Sequence, residues 1–279
     1  MRVVLLSRYP RVDTAAWKRQ VASELHDDGV QLTVVYSRSS LADQVRAGVA
    51  EFGPNVAARY IKARRGSGTA NPEPATSLAA WAGECDIEVA LHDRLGDPQC
   101  LAALRRADPD LVILAGADII PRAVLEIPRL GTLNAHYGLL PRYRGMNVTQ
   151  WSVYHDDPLG VSVHWVDPGI DTGAIVGRET IPVAAGETLA DLRPKHQQAA
   201  ARQLVEAGRR ALGDTVDAIE QRPEDGRQYY RMHPELLSAV ERKLASGAYR
   251  WTGASRDELD MQLGLGSGAA SGARPRTAG

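Results

Sequence analysis

The chain has 279 residues, 44% of them hydrophobic and 24% charged, with 33 Lys and Arg against 34 Asp and Glu. That is enough apolar material for a full core in one large or two small domains, and the near-even charge balance excludes the broad basic field that holds nucleic acid by counterion release. Only Cys85 and Cys100 occur, without metal-type spacing, and no apolar run reaches membrane-spanning length, so disulfide scaffolds, thiolate metal sites and bitopic membrane proteins are set aside.

The opening MRVVLLSRYPRVD has too short an apolar run for a signal peptide, and a cytoplasmic protein is expected. In chain order, RVVLLS, LTVVYS, IEVAL, DLVILAG and TLNAHY predict strands, while AAWKRQVASEL, QCLAALRRA and PRAVLEI between them carry helical spacing. Continuous apolar strands belong to parallel sheets covered on both faces. The fold class is therefore α/β, an open twisted, mostly parallel sheet with right-handed crossovers. Residues 64–76, rich in Gly, Pro and small polar side chains, are expected to form an exposed loop or linker.

Beyond Tyr154 the pattern changes. GVSVHWVD alternates and AIVGRETIPV follows with no helix between, which predicts two antiparallel strands added to the same sheet. Thr188 to Leu212 predicts a long helix packing back on the sheet, closing a main domain of residues 1–212. Residues 213–263 are expected to form a small helical C-terminal extension, with Pro234 near a helix start and a stripe of Leu236, Leu237, Val240 and Leu244. Residues 264–279, glycine-rich and poor in apolar side chains, cannot offset their ordering entropy and are expected to be a disordered tail.

Within GTLNAHYGLLPRYRG, residues 131–145, Asn134 and His136 stand two apart on a strand, so their side chains share one face. Within HWVDPGIDTGAI, residues 164–175, Asp171 sits in a Gly-flanked turn after a strand, and loops at carboxyl ends of strands are where open α/β sheets place their sites. An amide, an imidazole and a carboxylate meeting there suit acyl transfer: the amide donates to an oxyanion, the imidazole moves a proton and the carboxylate orients the ring. No Ser or Cys nucleophile is framed nearby, so direct attack by the acceptor is the simpler mechanism. The plainer readings are a buried Asn–His couple and a turn-forming Asp; the three together favour a site. His164 is either a further site residue or a packed one, His92, His155, His196 and His233 are expected to be solvated or locally bonded, and Trp151 to pack a helix.

LNAHYGLLPRYRG followed by VSVHWVDPGIDTGAIV resembles the formyltransferases that use 10-formyltetrahydrofolate, a family that includes glycinamide ribonucleotide, methionyl-tRNA and sugar-amine formyltransferases. The resemblance runs from roughly Asp108 to Val183. It implies a Rossmann-like formyltransferase fold with Asn134, His136 and Asp171 as the catalytic set. It further implies 10-formyltetrahydrofolate as cofactor, its pterin held by the loop that includes Leu114, Gly116, Asp118, Ile119 and Ile120, with Val166, Asp167 and Pro168 as the opposite wall. Tyr143, Arg144 and Gly145 are implied to meet the acceptor, and no metal is implied.

Departures from the family bear on the acceptor. LLSRYPRVDTAAW lacks a Gly-Ser-Asn phosphate loop, which disfavours purine synthesis. It also lacks the opening of the tRNA enzymes, and the residues after Leu212 are expected to be too few for their C-terminal barrel. The expected activity is N-formylation of a small amine such as an amino sugar, an amino acid or a specialised metabolite, with no general nucleic-acid binding and no membrane partner. The alternatives are a hydrolase that passes the formyl group to water, a methionyl-tRNA formyltransferase-like enzyme, and a folate-binding module without catalysis. Whether the chain forms a homodimer is left open.

Overall fold

Short apolar strands alternate with amphipathic helices in the order β1 (Arg2–Tyr9), α1 (Ala16–Asp27), β2 (Gln31–Arg38), α2 (Leu78–Glu84), β3 (Glu88–His92), α3 (Pro98–Ala107), β4 (Leu111–Leu114), α4 (Arg122–Leu125) and β5 (Gly131–His136). Then follow β6 (Tyr143–Gly145), α5 (Val148–His155), β7 (Gly160–Trp165), β8 (Ile175–Thr180), α6 (Leu189–Leu212), a 3-10 turn (Pro223–Asp225), β9 (Arg227–Tyr229) and α7 (Pro234–Ala245). This computed structural model describes residues 1–9, 16–38, 77–117 and 119–251. The expected loop at 64–76, the tail at 264–279 and Asp118 lie outside the described residues.

Seven strands form one sheet in the order β3-β2-β1-β4-β5-β7-β8. The first five pair in parallel, and β7 and β8 add antiparallel to the β5 edge. The reason is local: β1 to β5 are separated by helices long enough for crossovers, whereas β7 and β8 are joined by a turn that permits only reversal. Val3, Val4, Leu5 and Leu6 are all buried although successive residues face opposite sides, as a strand covered by helices on both faces requires. The chain order reverses between β1 and β4, the kind of switch point beside which such sheets open a crevice.

One apolar cluster lies on the face covered by α1 and α6, built from Val3, Leu5, Val21, Leu25, Leu111, Ile113, Leu204 and Val205 among others. A second covers the other face and includes Val4, Leu6, Val112, Leu114, Cys100 and Leu104. Helix α6 begins at a capping box in which the Thr188 hydroxyl accepts from the Asp191 amide and the Asp191 carboxylate accepts from the Thr188 amide, which together satisfy two donors that the first helical turn would leave orphaned.

Residues 213–251, expected as an appendage, are woven into the main body. Strand β9 pairs in parallel with β6, Ile219 bridges Ile175 in β8, and Val240 and Leu244 of α7 share a third cluster with Leu159, Val161, Leu192 and Ala199. The two-stranded β6–β9 sheet was not legible in the sequence, because three-residue strands carry no periodicity.

Candidate active site

Leu133 and Ala135 of β5 pack into the α1/α6 face, and the alternation of a strand turns Asn134 and His136 to the opposite side. Asn134 is paired across the antiparallel ladder with His164 of β7, and His136 with Ser162. Register alone thus brings a third polar side chain beside the two that the sequence singled out: Asn134 Nδ2 donates to His164 Nε2 at 3.2 Å. Asp171, in the turn between β7 and β8, has φ +54°, a left-handed backbone that Asp tolerates better than most residues. Its carboxylate lies between the two imidazoles, with Oδ2 3.3 Å from His136 Nδ1 and Oδ1 3.4 Å from His164 Nε2.

The ring protons follow from the partners. His136 Nε2 lies 2.7 Å from the Tyr143 carbonyl and His164 Nδ1 2.7 Å from the Trp165 carbonyl, and only a protonated nitrogen bonds to a carbonyl, so those two nitrogens carry hydrogen. In each neutral ring the nitrogen turned to Asp171 is then the one that would take a further proton. The two sites are not equivalent. The lone pair of His164 Nε2 already accepts from Asn134, whereas His136 Nδ1 faces the carboxylate alone. A proton delivered to this cluster is therefore best held on His136, paired with Asp171.

Burial pushes the His136 pKa below the ordinary imidazole value and His164 adds to this, while the Asp171 charge and the Tyr143 carbonyl oppose it. The ring is neutral near pH 7 and fit to accept a proton. Burial raises the Asp171 pKa, but the charge of His136, the hydrogen bond and charge of His164 and the Gly145 amide outweigh it and hold the carboxyl at about 2. Gly145 N–H donates to Asp171 Oδ2 at 2.8 Å. At neutral pH the group is a carboxylate held by one backbone donor and facing the free nitrogen of His136.

Tyr143, Arg144 and Gly145, implied by the resemblance to meet the acceptor, here contact His136, the strap around Gln221, and Asp171. The Tyr143 ring is buried, stacks on Tyr229 and donates its hydroxyl proton to Asp157, and only its carbonyl reaches His136. The Arg144 guanidinium is also buried and donates to Gln221 Oε1 and to the carbonyls of Arg222 and Pro223. Gly145, at φ +95°, sits where a Cβ would collide with the Tyr229 carbonyl. The physical reason is the β6–β9 pairing, which turns this short strand toward the C-terminal segment.

On the cofactor side, Leu114 is paired in register with Asn134 and belongs to one apolar cluster with Ile120 and Val166. The structure brings these three together, with Gly116 at φ +79° in the loop between. Ile119 is 83% exposed and turned to solvent. Pro168 is exposed, and the Asp167 carboxylate accepts from Gly169 N–H and the Thr172 hydroxyl, so it shapes the turn. A charged group missed in the sequence stands beside this loop: Lys18 of α1 is fully buried, donates to Ser7 Oγ at 2.6 Å and lies against Gly116, where a Cβ would come within 3.4 Å of its Nζ. His196, expected to be locally bonded, is so, its Nδ1 donating to the Leu192 carbonyl. No helix among the described residues is long and apolar enough to cross a membrane, and no group of three metal-ligating side chains is found among them.

Residues 5–224 match the formyl transferase family. A methionyl-tRNA formyltransferase from Salinispora tropica is 38% identical over 146 residues, 52% of this chain and 45% of that protein; the chain spans about half the length of the curated relatives it matches. Two solved structures share the fold. A sugar N-formyltransferase from Shewanella sp. superposes with a TM-score of 0.54 at 17% identity, covering 82% of this chain and 76% of its own. Glycinamide ribonucleotide transformylase 1 from Symbiobacterium toebii does so with a TM-score of 0.55 at 19% identity, covering 76% and 88%.

Proposed function

Because the chain belongs to the formyl transferase family, we propose that it transfers the formyl group of 10-formyltetrahydrofolate to a primary amine of a small molecule. The observation that carries this reading is the contact chain Asn134–His164–Asp171–His136 at the carboxyl end of β5, beside an apolar cluster that contains Leu114, Ile120 and Val166. A flat heterocycle can lay its faces against such walls while its edge turns to backbone polar groups. These residues would hold 10-formyltetrahydrofolate, which when bound supplies an electrophilic carbon and a leaving nitrogen.

The protein's own part is electrostatic and proton-handling. Asn134 has two amide hydrogens, and His164 holds one of them. The other is fixed in direction and serves as donor to an oxygen taking up negative charge. His136, neutral and buried, takes the proton released by the attacking amine on Nδ1, Asp171 stabilises the imidazolium it becomes, and the same proton passes on to the leaving nitrogen as its bond to the formyl carbon breaks, which returns the ring to its neutral form. No side-chain nucleophile is required, since the acceptor amine attacks directly.

The near-even charge balance of the chain supports a small acceptor over a polyanion. The named relatives favour a second reading, methionyl-tRNA as acceptor. Tetrahydrofolate release from 10-formyltetrahydrofolate, followed by absorbance with a panel of amines, with methionyl-tRNA and with water alone, separates the readings. Release that needs a small amine and collapses in Asn134→Ala and Asp171→Ala is expected. Release that needs methionyl-tRNA supports the second reading, release without any amine supports a hydrolase, and none with any acceptor overturns the proposal.

A further inference from the structure

One side chain holds both ends of the turn that carries Asp171. Gln221 Nε2 donates to the Asp171 carbonyl at 3.1 Å and to the Gly173 carbonyl at 2.6 Å. Gln221 Oε1 in turn accepts from Arg144 Nε at 3.1 Å, and the same guanidinium reaches the carbonyls of Arg222 at 2.9 Å and Pro223 at 3.4 Å. We propose that Gln221, oriented by Arg144, is a positioning residue of this site, fixing the backbone at Asp171 so that its carboxylate stays between His136 and His164. The inference rests on the reading of Asp171 as part of the catalytic set.

Three features argue for it. The left-handed backbone at Asp171 is strained for a non-glycine residue and persists only where its surroundings fix it. The carboxylate contacts, 3.3 Å to His136 and 3.4 Å to His164, are long, so a backbone shift of roughly 0.5 Å would part them, and misplacements of about 1 Å are worth on the order of 10²-fold in rate. The turn also needs two donors from one atom and an acceptor for Arg144. Among side chains of this length only an amide offers that; a glutamate would set oxygens against two carbonyls.

The strap that bears Gln221 is anchored on both sides of it. Ile219 and Ile175 exchange two backbone hydrogen bonds of 2.8 Å, and β9 is paired with β6. Removing the Gln221 side chain should therefore leave the strap in place. This separates positioning from folding.

The test uses the full chain with 13C-labelled histidine in wild type, Gln221→Met, Gln221→Glu and Asp171→Asn. The charged or titratable groups that face His136 are Asp171, which raises its proton affinity, and His164, which lowers it; the Tyr143 carbonyl adds to the first. In Gln221→Met, with the melting temperature near that of wild type, the His136 resonance is expected to titrate at lower pH, toward its position in Asp171→Asn. The rate of tetrahydrofolate release should fall about tenfold or more with the folate KM within about twofold. Gln221→Glu should behave alike. An unmoved His136 titration in Gln221→Met overturns the inference, as does a rate loss carried wholly by KM. Full turnover in Asp171→Asn would instead count against the catalytic reading, while the histidine titration would still decide whether Gln221 positions the carboxylate.

Discussion

Replacing Asp171 by Asn removes one charge from between two imidazoles and keeps the shape, since an amide oxygen in the place of Oδ2 can still accept from Gly145 N–H beside His136 Nδ1, while the amide nitrogen in the place of Oδ1 faces His164 Nε2. The carboxyl lies at about 2 against an ordinary 3.8, with the side chain 15% exposed. A pKa depressed in the folded state contributes stability that is complete above the unfolded value and is lost as pH falls through the folded one. With 1.36 kcal/mol per pH unit, the wild type should exceed Asp171→Asn by about 2 kcal/mol at pH 5 and by about 1 kcal/mol at pH 3. Urea unfolding of both proteins at the two pH values measures the difference, with equal slopes as the check that only stability has changed. A gap that is the same at pH 3 and pH 5 would refute the ion-pair account of Asp171. A gap that widens on acidification would mean that the carboxyl is raised in the fold.

Three further outcomes are expected. Asn134→Ala should lower the turnover number by about 10²-fold or more, the scale for losing one donor to developing charge, with a much smaller change in KM; equal losses in both would mean that Asn134 only binds. The acid limb of kcat/KM against pH should lie below the ordinary imidazole range, because burial disfavours the charged form of His136, and it should move lower still in Asp171→Asn; a limb above that range would show that the cationic ring is the resting form. Gly145→Ala should cost more than about 2 kcal/mol in chemical denaturation, since a left-handed backbone and a collision with the Tyr229 carbonyl act together; a cost below about 0.5 kcal/mol would mean that β6 and β9 separate readily.

Much of the fold was legible because its signals are local. Runs such as VVLL and LVILAG are apolar at every position, which only a strand covered on both faces needs, and the helical spacing between them forces crossovers. The antiparallel addition of β7 and β8 was legible because no helix lies between them. What the sequence could not show was pairing between short elements far apart, such as β6 with β9 or Ile219 with Ile175. For that reason residues 213–263 were expected to form an appendage, whereas their described part, 213–251, packs against the main body.

The site divides along the same line. That Asn134 and His136 share a face follows from the period of a strand, and that Asp171 occupies a turn follows from its flanking glycines. Both are properties of neighbours in the chain. That His164 holds the Asn134 amide, that the Arg144 guanidinium turns to Gln221, and that Gln221 caps the Asp171 turn depend on β-register and on a segment some 50 residues downstream of Asp171. The sequence by itself determined which chemical groups this protein carries and on which local elements they sit. Only the tertiary structure decided their partners, because a hydrogen bond across strands is set by the register of the whole sheet and not by the residues that make it.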